Sequence, residues 1–322
     1  MTTYDVSTSP NLIFTGAGFT HNIGAPIAQG MWALIFNHRK IQGTRSIRDL
    51  MSSSFDYEDI YHRVLNEDTF SDSDRSALNE AISGAFEDLD GIVKSFNTGG
   101  RRQAFHLDHF QKLIKDMNGG DGLWFTLNHD VFIERWYEGR VILPGVPNCR
   151  IAAESDPLQF SMPTPDEVEN AKLSMSNELK YIKLHGSQNW YGPRGYIIGR
   201  EKRSQIKEEP LLEWYMDIFS AAVKVANAQM LCIGYGFRDE HINEVLVAGI
   251  NGGMRLHVIN PQEPGIFSNN LREQFCEGIF DGLASYHQCT LRDLFPFHTQ
   301  LTDGSKSQEL VRLYRSVLGR DP

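Results

Sequence analysis

Short apolar runs recur along the chain, and turn residues bound each of them. The runs occupy residues 12–14, 123–125, 181–184, 230–233 and 256–259. Their side chains are apolar without alternation, which is typical of parallel strands that are covered on both faces. Helical patterns follow many of the runs. They predict helices at residues 25–37, 131–137, 211–227, 241–250 and 308–318. Alternating strands and helices predict an α/β fold in which helices flank a parallel sheet.

A long segment, residues 47–117, interrupts this alternation because it contains no convincing strand. Apolar residues recur there at helical spacing instead, as in residues 78–89. The pattern predicts a helical insertion between the first two strands of the sheet. The predicted divisions are a sheet domain at residues 1–45 and 120–290, the insertion at residues 46–119, and a C-terminal helical segment at residues 291–322. A proline-rich stretch at residues 144–165 predicts a loop.

Charge and polarity exclude two classes of partner. The chain has 31 Lys and Arg residues against 41 Asp and Glu residues, a formal net charge of −10. No basic run stands out, so we expect no direct binding of nucleic acid, which depends on neutralising phosphates. The N-terminal residues are polar, and no apolar stretch approaches the ~20 residues that span a bilayer. We therefore expect a cytoplasmic protein without membrane contact.

The four cysteines, Cys149, Cys232, Cys276 and Cys289, are widely scattered and form no C-x-x-C pair. Cysteines at short spacing are the usual ligands of a structural zinc ion. We therefore expect neither a zinc ribbon nor a disulfide framework, and no bound metal.

A glycine turn follows the first predicted strand, in the order Gly16, Ala17, Gly18, Phe19 and Thr20. Glycine lets the backbone pass close to a pyrophosphate, and amide groups at the start of a helix bind phosphate. The third glycine of the dinucleotide fingerprint G-x-G-x-x-G is missing, which argues against a dehydrogenase. A tight turn from strand to helix, without a ligand, explains this segment equally well.

Polar side chains follow the next two predicted strands. Asn128 and Asp130 come just after one of them, and His185 comes just after the other, at the edge where ligands collect in open α/β sheets. An asparagine there can orient a ribose hydroxyl or a water molecule, and an aspartate two residues on can fix that amide. A histidine with a pKa near neutrality can accept a proton. The alternatives are structural, since Asp130 can cap a helix and a single histidine in such a place is more often structural than catalytic.

Two further segments are consistent with a ligand at the same edge. Gly234, Tyr235 and Gly236 form a second glycine loop, and Asn260 ends a later strand, where its amide could reach an adenosine ribose. Glycine-rich loops and asparagines at strand ends are common, so neither segment specifies a ligand by itself.

Taken in chain order, these segments resemble the sirtuin superfamily. The matching motifs are the G-A-G turn at residues 16–18, T-x-N-x-D at 126–130, His-Gly at 185–186, the glycine loop at 234–236 and V-I-N at 258–260. The resemblance implies a Rossmann-like fold with an NAD site, in which Asn128 and His185 lie at the nicotinamide ribose. It also implies cofactor contacts from both glycine loops, Thr126 and Asn260, with Phe19 shielding the nicotinamide pocket.

The departures from that family narrow the resemblance. A sirtuin deacylase carries a four-cysteine zinc module after the His-Gly pair, whereas residues 187–199 contain no cysteine. The threonine-serine of the later glycine loop is replaced by Tyr235 and Gly236. These losses argue against acyl-lysine binding and leave the NAD-cleaving centre intact. The pattern resembles the zinc-less sirtuin-like NADases of bacterial antiphage defence, in which a helical insertion takes the place of the zinc module.

The expected function is hydrolysis of NAD+ to nicotinamide and ADP-ribose, which depletes NAD+ in antiphage defence by abortive infection. Catalysis is expected from Asn128, held by Asp130, and from His185. The alternatives are a protein deacylase or ADP-ribosyltransferase, and a module that senses NAD or ADP-ribose without cutting it. A free NADase would kill its host, so we expect restraint by self-assembly into a homo-oligomer or by a partner. The resemblance suggests a HerA-type hexameric ATPase or another phage-sensing protein as that partner.

Overall fold

The structure is a computed structural model that describes residues 11–97, 107–119, 122–137, 141–146, 159–173, 178–192, 195–296 and 307–322. These residues contain nine strands. In chain order they are β1 Asn11–Thr15, β2 Gly122–Thr126, β3 Val141–Ile142, β4 Phe160–Ser161, β5 Leu179–Lys183, β6 Trp190–Tyr191, β7 Gln229–Ile233, β8 Arg255–Ile259 and β9 Leu283–His287. Seven of them form one sheet, in the order β3-β5-β2-β1-β7-β8-β9, and β4 pairs with β6 apart from it.

Every pairing in the seven-stranded sheet is parallel. Helices flank the sheet, so the predicted α/β, Rossmann-like fold is confirmed. The central strand β1 is paired on both sides, and Phe14 lies in register with Phe125 on β2 and with Cys232 on β7. These side chains are almost fully buried, as expected for a parallel sheet that is covered on both faces.

All five predicted strands are present within one or two residues of their predicted ends. The strands that prediction missed are β3, β4 and β6, of two residues each, and β9. Residues 283–286 of β9 are only partly buried, and their sequence Leu-Ala-Ser-Tyr has no continuous apolar run. A sequence search for buried runs therefore passes over this edge strand.

The described helices surround the sheet. They are α1 Ala17–His21, α2 Ala28–Asn37, α3 Arg39–Gly43, α4 Arg45–Ser53, α5 Tyr57–Asn66, α6 Asp72–Lys94, α7 Leu107–Asn118, α8 Phe132–Trp136, α9 Pro165–Asn170, α10 Lys202–Lys207, α11 Pro210–Ala222, α12 Glu240–Asn251, α13 Pro264–Glu273, α14 Leu291–Leu294 and α15 Gln308–Leu318. Within the described ranges, every helix is too short or too polar to span a bilayer.

Two helices depart from their predicted bounds. The helix predicted from residue 25 begins at Ala28, because Ile27 before it has an extended backbone. The helix predicted to reach residue 227 ends at Ala222, and Asn227 has a φ of +59°, which a right-handed helix does not contain. Helix α15 has the predicted bounds.

The predicted insertion is helical wherever it is described, from α4 to α7. Helix α6 is its longest element, and it begins with a capping box in which Ser71 and Asp74 satisfy each other's backbone amides. Helix α7 returns to the sheet, where the Asn11 side chain donates to the Met117 carbonyl at 2.7 Å. The proposed domain boundaries remain a prediction, and most of the loop predicted at residues 144–165 lies outside the described residues.

The strand order places the candidate site. The chain leaves β1 toward β2 on one side, whereas β7 lies on the other side, so the sheet changes direction between β1 and β7. Ligands of open α/β sheets bind outside the carboxyl ends of the strands at such a switch point. The loops after β1, β2, β5 and β7 therefore meet where a ligand is expected.

Candidate active site

The two glycine loops pack directly against each other at the switch point. The amide of Gly16 donates to the Ile233 carbonyl at 3.1 Å, and the amide of Gly18 donates to the Gly234 carbonyl at 2.9 Å. A Cβ atom on Gly18 would lie 2.7 Å from the Cα of Gly234, which itself has a φ of +64°. Glycine is therefore needed at these positions for the contact between loops. The two amides are already paired, so the predicted pyrophosphate contacts are left to other groups of the turn, such as Ala17 and Thr20.

Asn128 is held by two threonines. Its backbone amide donates to the Thr126 hydroxyl at 3.1 Å, and its side-chain amide donates to the Thr20 hydroxyl at 3.3 Å. The Thr20 hydroxyl also forms a hydrogen bond with the Asp130 carboxylate, which opposes the rise in the pKa of Asp130 that burial causes. The prediction that Asp130 holds Asn128 directly is wrong, because Thr20 lies between them. The Asp130 carboxylate also accepts from the amide of Phe132, the first residue of α8, at 3.0 Å, although the N-cap position of that helix is Val131.

Thr126, predicted to bind the cofactor, is fully buried and holds the backbone of Asn128. Phe19 is also buried, and its ring packs against the rings of Phe110, Trp124 and Phe132 at centroid distances of 5.5–5.9 Å. In this structure Phe19 is a core residue. That its ring shields a nicotinamide pocket stays a prediction.

His185 lies at the end of β5 with only 3 % of its surface exposed, and it faces a second histidine. Its Nε2 atom is 3.0 Å from Nε2 of His241, at the start of α12. The centroid of the His129 ring lies 6.4 Å from the centroid of the His185 ring. Burial, with a smaller effect of the Lys202 cation, lowers the pKa of His185 well below its ordinary value of 6.5. Burial likewise lowers the pKa of His241 to about 4 and that of His129 to about 3, so all three rings are neutral at neutral pH.

Comparison with protein families agrees with this arrangement. Residues 122–274 match the SIR2-like domain family. The match spans Asn128, His185 and His241, and it supports a place in the sirtuin-like superfamily. SIR2-like proteins are NAD-dependent enzymes, which makes an NAD-related function the expected one. A comparison with curated proteins finds no match.

A buried ion pair supports the loop that carries Asn128. The Lys183 ammonium, which is fully buried, lies 2.7 Å from a carboxylate oxygen of Glu134. It also donates to the backbone carbonyl of Asp130 at 2.5 Å. Burial raises the pKa of Glu134, and the Lys183 cation opposes that rise. Because removing one partner of a buried pair leaves an uncompensated charge, this pair fixes the loop between β2 and α8.

A second lysine joins the insertion to the histidines. The Lys202 ammonium lies 2.8 Å from Asp239 and 2.8 Å from Glu58 on α5. The two carboxylates raise the pKa of Lys202 above its ordinary value, against the opposing effect of burial. Lys202 therefore stays charged and connects the helical insertion to the loop before α12.

His185, Asp239 and His241 also form a cluster that could hold a divalent metal ion, since their ligand atoms lie within 4.8 Å of one another. Two features weigh against that use. The Nε2 atoms are 3.0 Å apart while the ring centroids are 5.2 Å apart, so the two nitrogens lie between the rings and point toward each other. A shared metal needs both lone pairs to converge on one point. Asp239 is also paired with Lys202, and the absence of a metal remains a prediction.

A polar cleft opens beside the second glycine loop. Its volume is about 420 Å³, within the usual range of roughly 300–1,000 Å³ for small-molecule sites. A Cβ atom on Gly236 would meet no atom closer than 3.9 Å, so this glycine faces open space, unlike Gly234. The residues that line the cleft are Asp56, Arg200, Gly236, Arg238, Asn270, Glu273 and Gln274.

The remaining predicted cofactor residues shape loops. The Tyr235 hydroxyl donates to the Asn243 side-chain oxygen at 3.0 Å, which ties the glycine loop to α12. The Asn260 side-chain oxygen accepts from the Gln262 amide at 2.9 Å and so forms the turn after β8. Both side chains are buried. Their contacts with a cofactor stay predictions.

Sequence reasoning missed His241, Lys202 and the Lys183–Glu134 pair. His241 stands two residues after Asp239. Nothing in the local sequence marks His241 as a partner of His185. The only available signal was the polar run Asp239-Glu240-His241 directly after a glycine loop at a strand end.

Proposed function

We propose that the protein is an NAD+ glycohydrolase, which uses water to cleave NAD+ into nicotinamide and ADP-ribose. The proposal is carried by one observation: Asn128 and His185 follow the carboxyl ends of the adjacent parallel strands β2 and β5, inside the region that matches the SIR2-like family. An amide and a neutral imidazole at that edge are suited to orient a ribose or water and to accept a proton.

The cleft supports binding of the diphosphate part of NAD+. Arg238 lines it and the backbone of Gly236 is open there, so a cationic and an amide donor are available to an anion. Arg200 also lines the cleft, where it is paired with Asp59 at 2.6 Å. Asn128 and His185 are only 7 % and 3 % exposed. The nicotinamide end therefore reaches them when the surrounding loops separate, and closure over the substrate excludes bulk water.

The reaction is written with NAD+ and one water molecule as reactants. The bond between C1′ of the ribose and the nicotinamide nitrogen breaks, and its electron pair leaves with the nicotinamide, which becomes neutral. The ribose acquires oxocarbenium character, and the water held by Asn128 attacks C1′. His185 accepts the proton that the water loses, and the products are nicotinamide, ADP-ribose and one proton. Proton acceptance of this kind accelerates a reaction by roughly 10²–10⁴-fold.

The test is incubation of the purified protein with NAD+ alone, followed by chromatography of the products. We expect equal amounts of nicotinamide and ADP-ribose without any added acceptor. The Asn128→Ala and His185→Ala variants should each lose roughly 10²–10⁴-fold in rate while circular dichroism shows an unchanged fold. His257→Gln, which alters a buried histidine of β8, is the matched control and should retain the wild-type rate.

Other outcomes identify the alternatives. Nicotinamide release that requires a protein acceptor would indicate a deacylase or an ADP-ribosyltransferase. Tight binding of NAD+ that remains intact after long incubation would indicate a sensing module. Release at the wild-type rate by both the Asn128 and His185 variants would contradict the assigned roles.

The proposal extends to the biological role through the resemblance to zinc-less sirtuin-like NADases. We propose that the enzyme acts in the cytoplasm and depletes NAD+ in infected bacteria, and that a homo-oligomer or a HerA-type ATPase, or another phage-sensing partner, restrains it. Light scattering of the protein alone and with the product of a neighbouring gene tests the assembly. A monomer at all concentrations under both conditions would contradict it.

A further inference from the structure

The contact between His185 and His241 is a hydrogen bond between two imidazoles. The two Nε2 atoms are 3.0 Å apart and the rings are inclined by 29°. A neutral imidazole has one N–H and one acceptor nitrogen, so one Nε2 carries the hydrogen and the other accepts it. When His185 donates through Nε2, its Nδ1 is the acceptor. A proton can then enter His185 at Nδ1 while another leaves from Nε2.

We propose that His241 is a positioning residue that receives a proton from His185 during the reaction. The inference rests on the proposed function. As the attacking water loses its proton to Nδ1 of His185, the Nε2–H bond of His185 breaks and an Nε2–H bond forms on His241. His241 then releases its Nδ1 proton to solvent, which leaves both rings neutral. Exchange of ring protons with solvent returns His185 to the tautomer whose Nδ1 accepts before the next turnover. No oxidant, reductant or further reactant is needed.

The two rings have different surroundings, and these assign each ring a different role in the proton transfer. His185 is 3 % exposed at the end of a central strand, so a full positive charge there is poorly solvated. His241 is 9 % exposed at the start of α12, next to the Asp239 carboxylate. Asp239 raises the pKa of His241, against the larger lowering effect of burial. The proton is therefore better accommodated on His241 than on His185.

The charged groups around His241 come from three elements. On α12 and the residue before it, Asp239 and Glu244 are negative, whereas Lys202 and Arg203 of α10 are positive. They pair across the two helices, with Lys202 2.8 Å from Asp239 and Arg203 2.5 Å from Glu244. Glu58 of α5 also pairs with Lys202.

Two neutral groups complete the surroundings, His185 and, farther away, His129. Because the cations and carboxylates largely offset each other, the protonation of the pair is governed by burial and by the contact between the rings.

The first test compares His241→Gln with the wild-type protein. Glutamine retains hydrogen-bonding groups but takes up no proton at neutral pH. We expect kcat to fall roughly 10- to 100-fold with KM unchanged. Combining His241→Gln with His185→Gln should cost no more than His185→Gln alone, since the two rings act as one unit.

The pH dependence of kcat separates proton transfer from a merely structural role. A proton shared by two rings is held more strongly than a proton on one buried ring, so the pair titrates as a unit. The acid limb of the profile should therefore move to lower pH in His241→Gln. An unchanged acid limb together with an unchanged kcat would overturn the proposal.

Chemical rescue gives an independent measurement. His241→Ala leaves space for an added imidazole, which should restore kcat in proportion to its unprotonated fraction. His257→Ala is the matched control. Because His257 lies on β8 within the sheet, imidazole should not alter the rate of this variant. Loss of activity in His241→Ala that no imidazole concentration restores, in a protein with the wild-type circular dichroism spectrum, would count against proton transfer.

A readout without turnover keeps this inference separate from the proposed function. In protein labelled with ¹⁵N-histidine, the ring-nitrogen shifts should show one protonated and one unprotonated Nε2 for the pair, and His241→Gln should shift the His185 signals. A wild-type protein that shows this coupling but cleaves no NAD+ would refute the proposed function alone. Signals for His185 that His241→Gln leaves unchanged would refute the pair itself.

Discussion

Two groups of histidines lie in or next to the seven-stranded sheet, and only one of them lies at the candidate site. The first, here called the strand-end group, consists of His129, His185 and His241. The second, here called the sheet group, joins His257 of β8 to Ser285 of β9 at 2.8 Å and His287 to Ser316 of α15 at 3.1 Å. Ser285 and His287 are themselves 3.0 Å apart.

Burial lowers the histidine pKa values in both groups, to about 4 for His241 and about 4 for His257. A lowered pKa therefore does not by itself distinguish a site from a core. The groups differ in their partners. Both ring nitrogens of His257 face hydroxyl or amide groups, with Gln229 at 3.3 Å on the other side. In the strand-end group one imidazole faces another at a strand end, where a proton can move.

The largest expected difference is in activity. His185→Gln should reduce nicotinamide release by roughly 10²–10⁴-fold, because the proton acceptor is lost. His257→Gln should leave the rate per folded molecule unchanged. The measurement is chromatography of nicotinamide, normalised to the folded fraction from circular dichroism. Equal losses in the two variants would remove the distinction between the groups.

Substitution in the sheet group should cost more free energy of unfolding than substitution in the strand-end group, which reverses the order expected for activity. His257→Leu removes the hydrogen bonds of His257 to Ser285 and Gln229, which costs about 1–3 kcal/mol in total. Ser285 keeps His287 as a partner. His241→Gln retains a polar partner for His185 and should cost less free energy of unfolding. Urea unfolding at neutral pH measures both. A His257→Leu protein that is more stable than the wild type would show that the hydrogen bonds of the sheet group are dispensable.

Acid should destabilise the protein through both groups. Their pKa values in the folded protein lie below the unfolded value of about 6.5. The stability that these histidines contribute is therefore fully present above that pH. It is lost as pH falls toward about 4, since only the unfolded chain binds these protons. The free energy of unfolding of His257→Gln should therefore vary less between these pH values than that of the wild type. An identical slope would indicate that His257 is protonated in the native state.

The smallest effect belongs to Ser285→Ala. The Ser285 hydroxyl bridges His257 and His287, so its loss removes hydrogen bonds and also removes one polar group. We expect a loss of about 0.5–1.5 kcal/mol in urea unfolding. Ser316→Ala alters the end of the sheet group that lies on α15. This variant is the control and should lose no more free energy of unfolding than Ser285→Ala.

Much of the fold could be predicted because the buried strands have continuous apolar sequences. Strands β1, β2, β5, β7 and β8 could each be located from such a run. Strand β9 could not, since its side chains lie partly exposed at the sheet edge. The start of α2 was placed too early because helical spacing does not reveal that the backbone of residue 27 is extended.

The candidate site could be predicted only in part. Asn128 and His185 stand directly after apolar runs, and their position at strand ends follows from the fold. The glycines were identified as well, but Gly18 and Gly234 are explained by a contact between loops more than two hundred positions apart in sequence. The role of His241 depends on how the start of α12 lies beside the loop after β5, and the role of Lys183 depends on its pairing with Glu134. Such pairings between distant segments leave no local pattern.

The central place of β1 in the sheet has a consequence for folding. Thr15 is in register with Thr126 on one side and with Ile233 on the other, so β1 pairs with strands that are synthesised much later than β1 itself. At ~5–20 residues per second, β7 follows β1 by roughly 10–40 s. A nascent chain that already contains Asn128 and His185 still lacks β7 and His241. The site therefore assembles late in synthesis, and long-range pairing of this kind makes folding intrinsically slow.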